Sequence, residues 1–220
     1  MKNIAHLIDH TLLKPETTHQ DLDILCGEAM EYGFACVCVN PSNIHYVADA
    51  LRNSEVGACS VAGFPFGASK TNVKAYEARM AVEDGAREID MVIDIGELKN
   101  GNYERVELDV RVVKETIGKD IILKAIIETP LLTEREKIVA AELVISAGAD
   151  YVKTATGINA GGATLQDVAL LKKAANGRIQ VKAAGGIRDY ATAIAMLESG
   201  ADRIGASAGP RILETRENPS

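Results

Sequence analysis

The sequence predicts an α/β fold, a single (β/α)8 (TIM) barrel domain over residues 1–220. Three observations carry the prediction. Eight short apolar segments are each followed by a helical pattern, which implies a parallel sheet. The joint from helix back to strand recurs as YGFACV, DGAREIDM, AGADYVK and SGADRIG, with Gly33, Gly85, Gly148 and Gly200 at the helix ends. Lys124, Lys153 and Lys182 fall one per strand at equal spacing, a supersecondary period rather than a strict repeat. Eight such units in ~200–250 residues fit a closed barrel. An open doubly wound sheet is the rival arrangement.

The elements follow in order. The stretch 7–11 is short, apolar and holds Asp9. Thr18 caps a helix to about Tyr32, with Leu22, Leu25 and Ala29 at helical spacing. A strand at 35–40 ends in Asn40-Pro41, a capping side chain before a helical proline. Ile44, Val47, Ala48 and Leu51 line that next helix, and a strand at 56–63 closes in the turn GFPFG. A helix at 70–84 leads to the strand EIDMVID, where alternation puts Asp90, Val92 and Asp94 on one face. The helix 103–117 carries Val106, Val110, Val113 and Ile117 as one stripe. A strand at 121–128 precedes a helix opened by the Thr133/Glu136 capping box. Strands at 150–154, 179–183 and 203–206 alternate with helices at 164–175 and 189–199. Pro210 opens a short last helix, and TRENPS frays.

Composition narrows the function. With 24 basic and 31 acidic residues the net charge is -7, which argues against nucleic acid or an anionic membrane as partner. Tryptophan is absent, so base stacking is not expected. Cys26, Cys36, Cys38 and Cys59 form no CxxC motif and read as buried free thiols in a reducing cytoplasm. The start, MKNIAHLIDH, has no long apolar run, so a soluble cytoplasmic protein is expected. His6, His10, His19 and His45 lack metal-ligand spacing and read as structural, with His10 a neighbour of Asp9 at the pocket mouth; no metal site is expected.

Barrel chemistry sits at the C-terminal ends of the strands. Polar residues within or just past strands are few: Asp9, Asp90, Asp94, Lys124, Glu128, Lys153, Lys182 and Ser207. YVKTATG and QVKAAGG share a shape, and inward-facing Lys153 and Lys182 on neighbouring strands would lie ~4.8 Å apart. A cation beside a lysine disfavours the charged form, one route to a nucleophilic amine that forms Schiff bases. Asp90 is placed to move protons. Lys124 is expected to pair with Glu128 or Asp90. The bland alternative is a set of buried ion pairs. After the last three strands come TGINAGGAT, AGGIR and GASAG, whose backbone N–H groups suit a phosphate, with Ser207 and Arg188 adding polar groups. GFPFG reads as a plain turn.

Taken together, LIDHTLLKP, VCVNP, VAGFPFG, EIDMVIDIG, LKAIIET, VKTATG, VKAAGGIR and RIGASAG resemble the deoxyribose-phosphate aldolase family across nearly the whole chain. The resemblance implies a class I aldolase that cleaves 2-deoxy-D-ribose 5-phosphate and needs neither metal nor cofactor. It implies Lys153 as the Schiff-base lysine, Lys182 as its partner and Asp90 as acid/base. Gly157, Gly185, Gly186 and Ser207 would hold phosphate, with Asp9 and Lys124 as further substrate contacts. A small phosphorylated sugar is the expected partner, and homo-oligomerisation is left open. The chain departs from the family at Ile158–Ala160, at Pro210, and at its Pro219-Ser220 end, where some relatives carry a tyrosine. Alternatives are another phosphosugar aldolase or isomerase, or a non-catalytic barrel that binds a phosphorylated metabolite.

Overall fold

The computed structural model describes residues 3–215. Eight parallel strands close into a barrel in chain order, so the open-sheet alternative fails. They are β1 Ile8–Leu12, β2 Cys36–Val39, β3 Gly57–Ala62, β4 Glu88–Val92, β5 Ile122–Ile126, β6 Tyr151–Lys153, β7 Gln180–Ala184 and β8 Arg203–Ala206. Strand β1 pairs with both β2 and β8, which seals the ring. Around it lie α1 His19–Tyr32, α2 Ile44–Ala50, α3 Thr71–Glu83, α4 Ile95–Lys99, α5 Tyr103–Ile117, α6 Glu134–Ser146, α7 Leu165–Ala175, α8 Tyr190–Glu198 and α9 Gly209–Glu214. No helix among the described residues is long and apolar enough to cross a membrane.

The local signals act as their chemistry dictates. Thr18 and Thr133 form reciprocal capping boxes with Asp21 and Glu136, satisfying N–H groups that the first helical turn leaves open. Thr164 and Asp189 cap α7 and α8. Gly33 ends α1 in the left-handed region at φ 70, a conformation that costs other residues their Cβ clearance. On α5 the whole predicted stripe, Val106, Val110, Val113 and Ile117, is buried. Outward strand residues such as Val37, Ile89, Val152 and Val181 complete this layer between helices and sheet.

Three local expectations are corrected. Asn40 makes no side-chain cap; Pro41 opens a 3-10 turn over Pro41–Asn43, and α2 starts after it. Asp94 does not share a strand face with Asp90, because β4 stops at Val92 and Asp94 accepts from Glu97 N at 3.1 Å to cap α4. A short carboxylate satisfies helix N–H groups better than it fits a barrel wall. His10 faces away from the barrel mouth, its Nε2 2.7 Å from Glu28 on α1 and its ring beside Phe34. The turn GFPFG also does more than reverse the chain. Phe64 packs on the inner-wall residues Cys36, Cys38, Cys59 and Val61. Of TRENPS, Thr215 is the cap of α9; the remainder, with the Pro219-Ser220 end, lies outside the described residues.

Candidate active site

Strand register stacks the inward side chains in layers, alternate strands filling each one. Stepping round the ring, odd strands contribute Asp9, Cys59, Lys124 and Lys182 to one layer. Even strands place Cys38, Asp90, Lys153 and Gly205 above it, and Cys36, Glu88, Tyr151 and Arg203 below. Most barrels fill these positions with branched apolar residues. Here a charged cage occupies them.

Asp90 is its centre. Oδ2 accepts from Lys153 Nζ and Lys182 Nζ, each at 2.7 Å. Oδ1 accepts from Lys124 Nζ at 2.7 Å and from the Cys59 thiol at 3.4 Å. Lys182 also meets Asp9 Oδ2 at 2.5 Å, and Asp9 Oδ1 accepts from Arg203 at 2.7 Å. Lys124 meets Glu88 at 2.6 Å. Lys153 and Lys182 are register partners facing the same interior, as their shared motif predicts. Lys124 takes Asp90 rather than Glu128.

Each charge is explained by its neighbours. Burial raises the Asp90 carboxyl, but the ammonium groups of Lys124, Lys153 and Lys182 outweigh it and hold the group well below the ordinary carboxylate range. Asp9 is likewise raised by burial and lowered further by Lys182, Lys124 and Arg203. Burial lowers Lys182, while Asp9 and Asp90 raise it more, so it stays a cation. Lys124 behaves the same way, its rise coming chiefly from Asp90. In Glu88 burial wins, and its carboxyl sits above the usual 4.5.

A cavity of about 360 Å³ opens at the C-terminal ends of the strands, with Lys153 among its lining residues. Lys153 is 3% exposed, whereas Asp90, Lys182, Lys124 and Asp9 are all 0% exposed and do not line the cavity. The one cage amine that reaches the cavity is therefore Lys153. Asp9 and Lys124, read from sequence as substrate contacts, sit one layer beneath Asp90 and Lys153, out of the cavity lining. Gly157, Gly185, Gly186 and Ser207 do line the cavity, together with Arg188. Thr11 at the end of β1, with Lys14 and Thr156 in loops, lines it too and escaped the sequence reading, because nothing local marks a residue that faces a cavity. A second cavity, about 280 Å³ beside the N-terminal ends of β3 and β4, holds none of the predicted residues.

The thiols are buried and free, as expected. Unforeseen is their convergence. The ligand atoms of Cys36, Cys59 and Glu88, and of Cys38, Cys59 and Asp90, lie within 4.8 Å of one another in each set. The cation seated there is the Lys124 ammonium, 3.4 Å from Cys59 Sγ. Alternation by itself pairs Cys36 with Cys38 and Glu88 with Asp90; only closure of the barrel joins the pairs.

Beside the cavity the loops after β6 and β7 touch backbone to backbone. Ala163 N donates to the Ala184 and Gly185 carbonyls at 3.1 Å. A Cβ on Gly185 would lie 2.7 Å from Gly162 Cα and 3.2 Å from Gly157 Cα, at φ +93. We expect Gly185→Ala to lose about 1–3 kcal/mol of stability, as thermal melting would reveal. An unchanged melting temperature would mean that the two loops part without cost.

Glu128 lies at the end of β5 in the left-handed region, φ 57 and ψ 61. Such strain in a non-glycine residue costs about 1–3 kcal/mol and persists where its surroundings demand it. Its carboxyl accepts from Thr156 N at 3.2 Å and from Thr156 Oγ1 at 2.6 Å, both on the loop after β6.

Comparisons with known proteins point to one family. The family described as DeoC/LacD family aldolase matches residues 3–214. Deoxyribose-phosphate aldolase 1 of Bacillus licheniformis is 51% identical over 213 residues, 97% of this chain and 96% of that one. The deoxyribose-phosphate aldolase of Carboxydothermus hydrogenoformans is 52% identical over 214 residues, 96% of this chain and 94% of its own. Among solved structures, the tetrameric deoxyribose phosphate aldolase of Aeropyrum pernix superposes with a TM-score of 0.92 at 34% identity, covering 99% of this chain and 92% of that one. A lysine that opens from a buried carboxylate cage onto a barrel-mouth cavity, in a chain matched over nearly its full length, makes this protein a member of the DeoC/LacD aldolase family.

Proposed function

We propose that the protein catalyses the reversible cleavage of 2-deoxy-D-ribose 5-phosphate to D-glyceraldehyde 3-phosphate and acetaldehyde, through a Schiff base on Lys153. The observation that carries this reading is the position of Lys153 Nζ, the one cage amine at the cavity, 2.7 Å from Asp90 Oδ2. The free amine of Lys153 adds to the C1 aldehyde, and loss of water leaves an iminium ion. The C3 hydroxyl gives up its proton as the C2–C3 bond breaks. That electron pair forms the C1–C2 double bond of an enamine while the C1–N double bond becomes single. Protonation at C2 and addition of water then free acetaldehyde and the amine. Asp90 is fully buried, so it exchanges protons with substrate through Lys153 or a water. Lys182 keeps a positive charge beside both groups.

Gly157, Gly185, Gly186 and Ser207 form the proposed phosphate surface, and Lys14 and Arg188 add positive charge at its rim. The buried free thiols suit a reducing cytoplasm. A homo-oligomer is part of the proposal, since the Aeropyrum pernix relative is tetrameric.

Acetaldehyde and sodium borohydride should fix a two-carbon adduct on the peptide that carries Lys153. An adduct on Lys182 instead, or none, would sink the assignment. The cationic neighbour makes a second prediction. Lys182→Leu takes one ammonium away from Asp90 Oδ2 and should slow trapping of Lys153 at fixed pH. An unchanged rate, in a variant whose melting shows that it is folded, would count against a role for that charge.

A further inference from the structure

Glu128 and Asn159 belong neither to the lysine cage nor to any step of the proposed reaction, yet they join three loops at the barrel mouth. Asn159 Nδ2 donates to Pro65 O at 2.8 Å and to Glu128 Oε2 at 2.9 Å. One amide thus ties the loop after β6 to the turn after β3 and to the end of β5. Thr156 Oγ1, which donates to Glu128 Oε2 at 2.6 Å, also accepts from Ile158 N at 3.2 Å and from Asn159 N at 3.4 Å. The loop is therefore held at both of its shoulders. Between them stand Gly157 and Ile158, and both line the cavity.

The chemistry of this cluster is specific. Glu128 is 0% exposed and, among the described residues, forms no ion pair. Its carboxyl is met by donors from the β6 loop alone. A buried carboxyl satisfied in this way fixes the segment that satisfies it. Asn suits position 159 because its amide carries two hydrogens for two acceptors. Aspartate there would oppose Glu128 and offer no donor; alanine would leave the Pro65 carbonyl without this partner.

We infer that Asn159 is a positioning residue: with Glu128 it clasps the β6 loop to the β3 turn, and so sets how tightly the cavity holds the phosphate end of its substrate. Naming phosphate rests on the proposed function above. The Ile158–Ala160 segment, where the chain departs from its family's pattern, then carries a role of its own.

Inorganic phosphate is the probe, titrated calorimetrically into wild type, Asn159→Ala and Asn159→Asp. We expect the wild type to bind, and Asn159→Ala to bind about five- to tenfold more weakly, the scale of one lost hydrogen bond. Asn159→Asp should be weaker still, from carboxylate repulsion. For deoxyribose 5-phosphate the loss should appear in KM more than in kcat, and the preference over unphosphorylated deoxyribose should fall by a like factor. Phosphate affinity equal to wild type in Asn159→Ala, or a fall in kcat with KM unmoved, would overturn the clasp; so would a wild type that does not bind phosphate. Borohydride trapping with acetaldehyde involves no phosphate. Its failure in the wild type would overturn the aldol reading while the phosphate titration still judged the clasp.

Discussion

Lys153→Ala is expected to abolish deoxyribose 5-phosphate cleavage, by at least about 10⁴-fold in kcat, while the barrel stays folded. The magnitude is that of deleting the proposed covalent nucleophile, since Lys153 is the one cage amine that lines the cavity. Lys182 has a similar amine and touches the same Asp90 oxygen, yet it is completely buried and absent from the cavity lining. It cannot reach an aldehyde without rebuilding the cage. The fold should persist because Asp90 keeps Lys124 and Lys182 as partners after Lys153 is gone. Steady-state cleavage, borohydride trapping and a melting curve test this together. Near-normal turnover in the variant would show that the chemistry lies elsewhere.

Asp90→Asn should harm both stability and turnover. Three ammonium groups converge on this carboxylate at 2.7 Å. An amide of the same shape turns an N–H₂ group toward at least one of them. Removing one partner of a buried ion pair typically costs about 3–5 kcal/mol, on the order of 10 °C in melting temperature for a chain of this size. Loss of the proposed proton-transfer group should lower kcat by a further factor of about 10²–10⁴. Lys153 loses its one ion-pair partner among the described residues, so trapping by acetaldehyde should survive better than cleavage.

The sign of the pH dependence follows from the depressed Asp90 carboxyl. A group whose folded pKa lies below its ordinary value of 3.8 stabilises the fold above that pH, and the contribution fades as pH falls toward the folded value. The gap in melting temperature between wild type and Asp90→Asn should therefore narrow below about pH 4. A gap that stayed constant into acid would mean that the ionised carboxylate is not what the cage depends on.

Lys153, Lys182 and Asp90 were legible in the sequence because a strand alternates its faces. A lysine or aspartate within an apolar run must point either into the helix layer or into the barrel, and both destinations are buried. Shared spacing in VKTATG and VKAAGG then made the two lysines register partners on neighbouring strands, as the sheet has them. The caps of α1, α6, α7 and α8 were similarly local, each written within a few residues.

Contacts between strands distant in the chain were a different matter. Asp9 and Arg203 pair across 194 positions, and Asn159 reaches Pro65 across 94. Alternation says which face a residue takes but not which layer of a closed ring it shares. Asp94 shows the opposite failure, where a strand-like pattern yielded to a helix end that needed an oxygen.

What the order of residues determined by itself was the eight-unit architecture, the inward charges and the glycine turns, since each depends on periodicity or on a neighbour's chemistry. What only the tertiary structure decided was which of those buried groups meets solvent. That choice depends on the stagger of the closed barrel, which lifts Lys153 to the cavity floor, keeps Asp90 in its layer but out of the lining, and leaves Lys182, Lys124 and Asp9 one layer beneath.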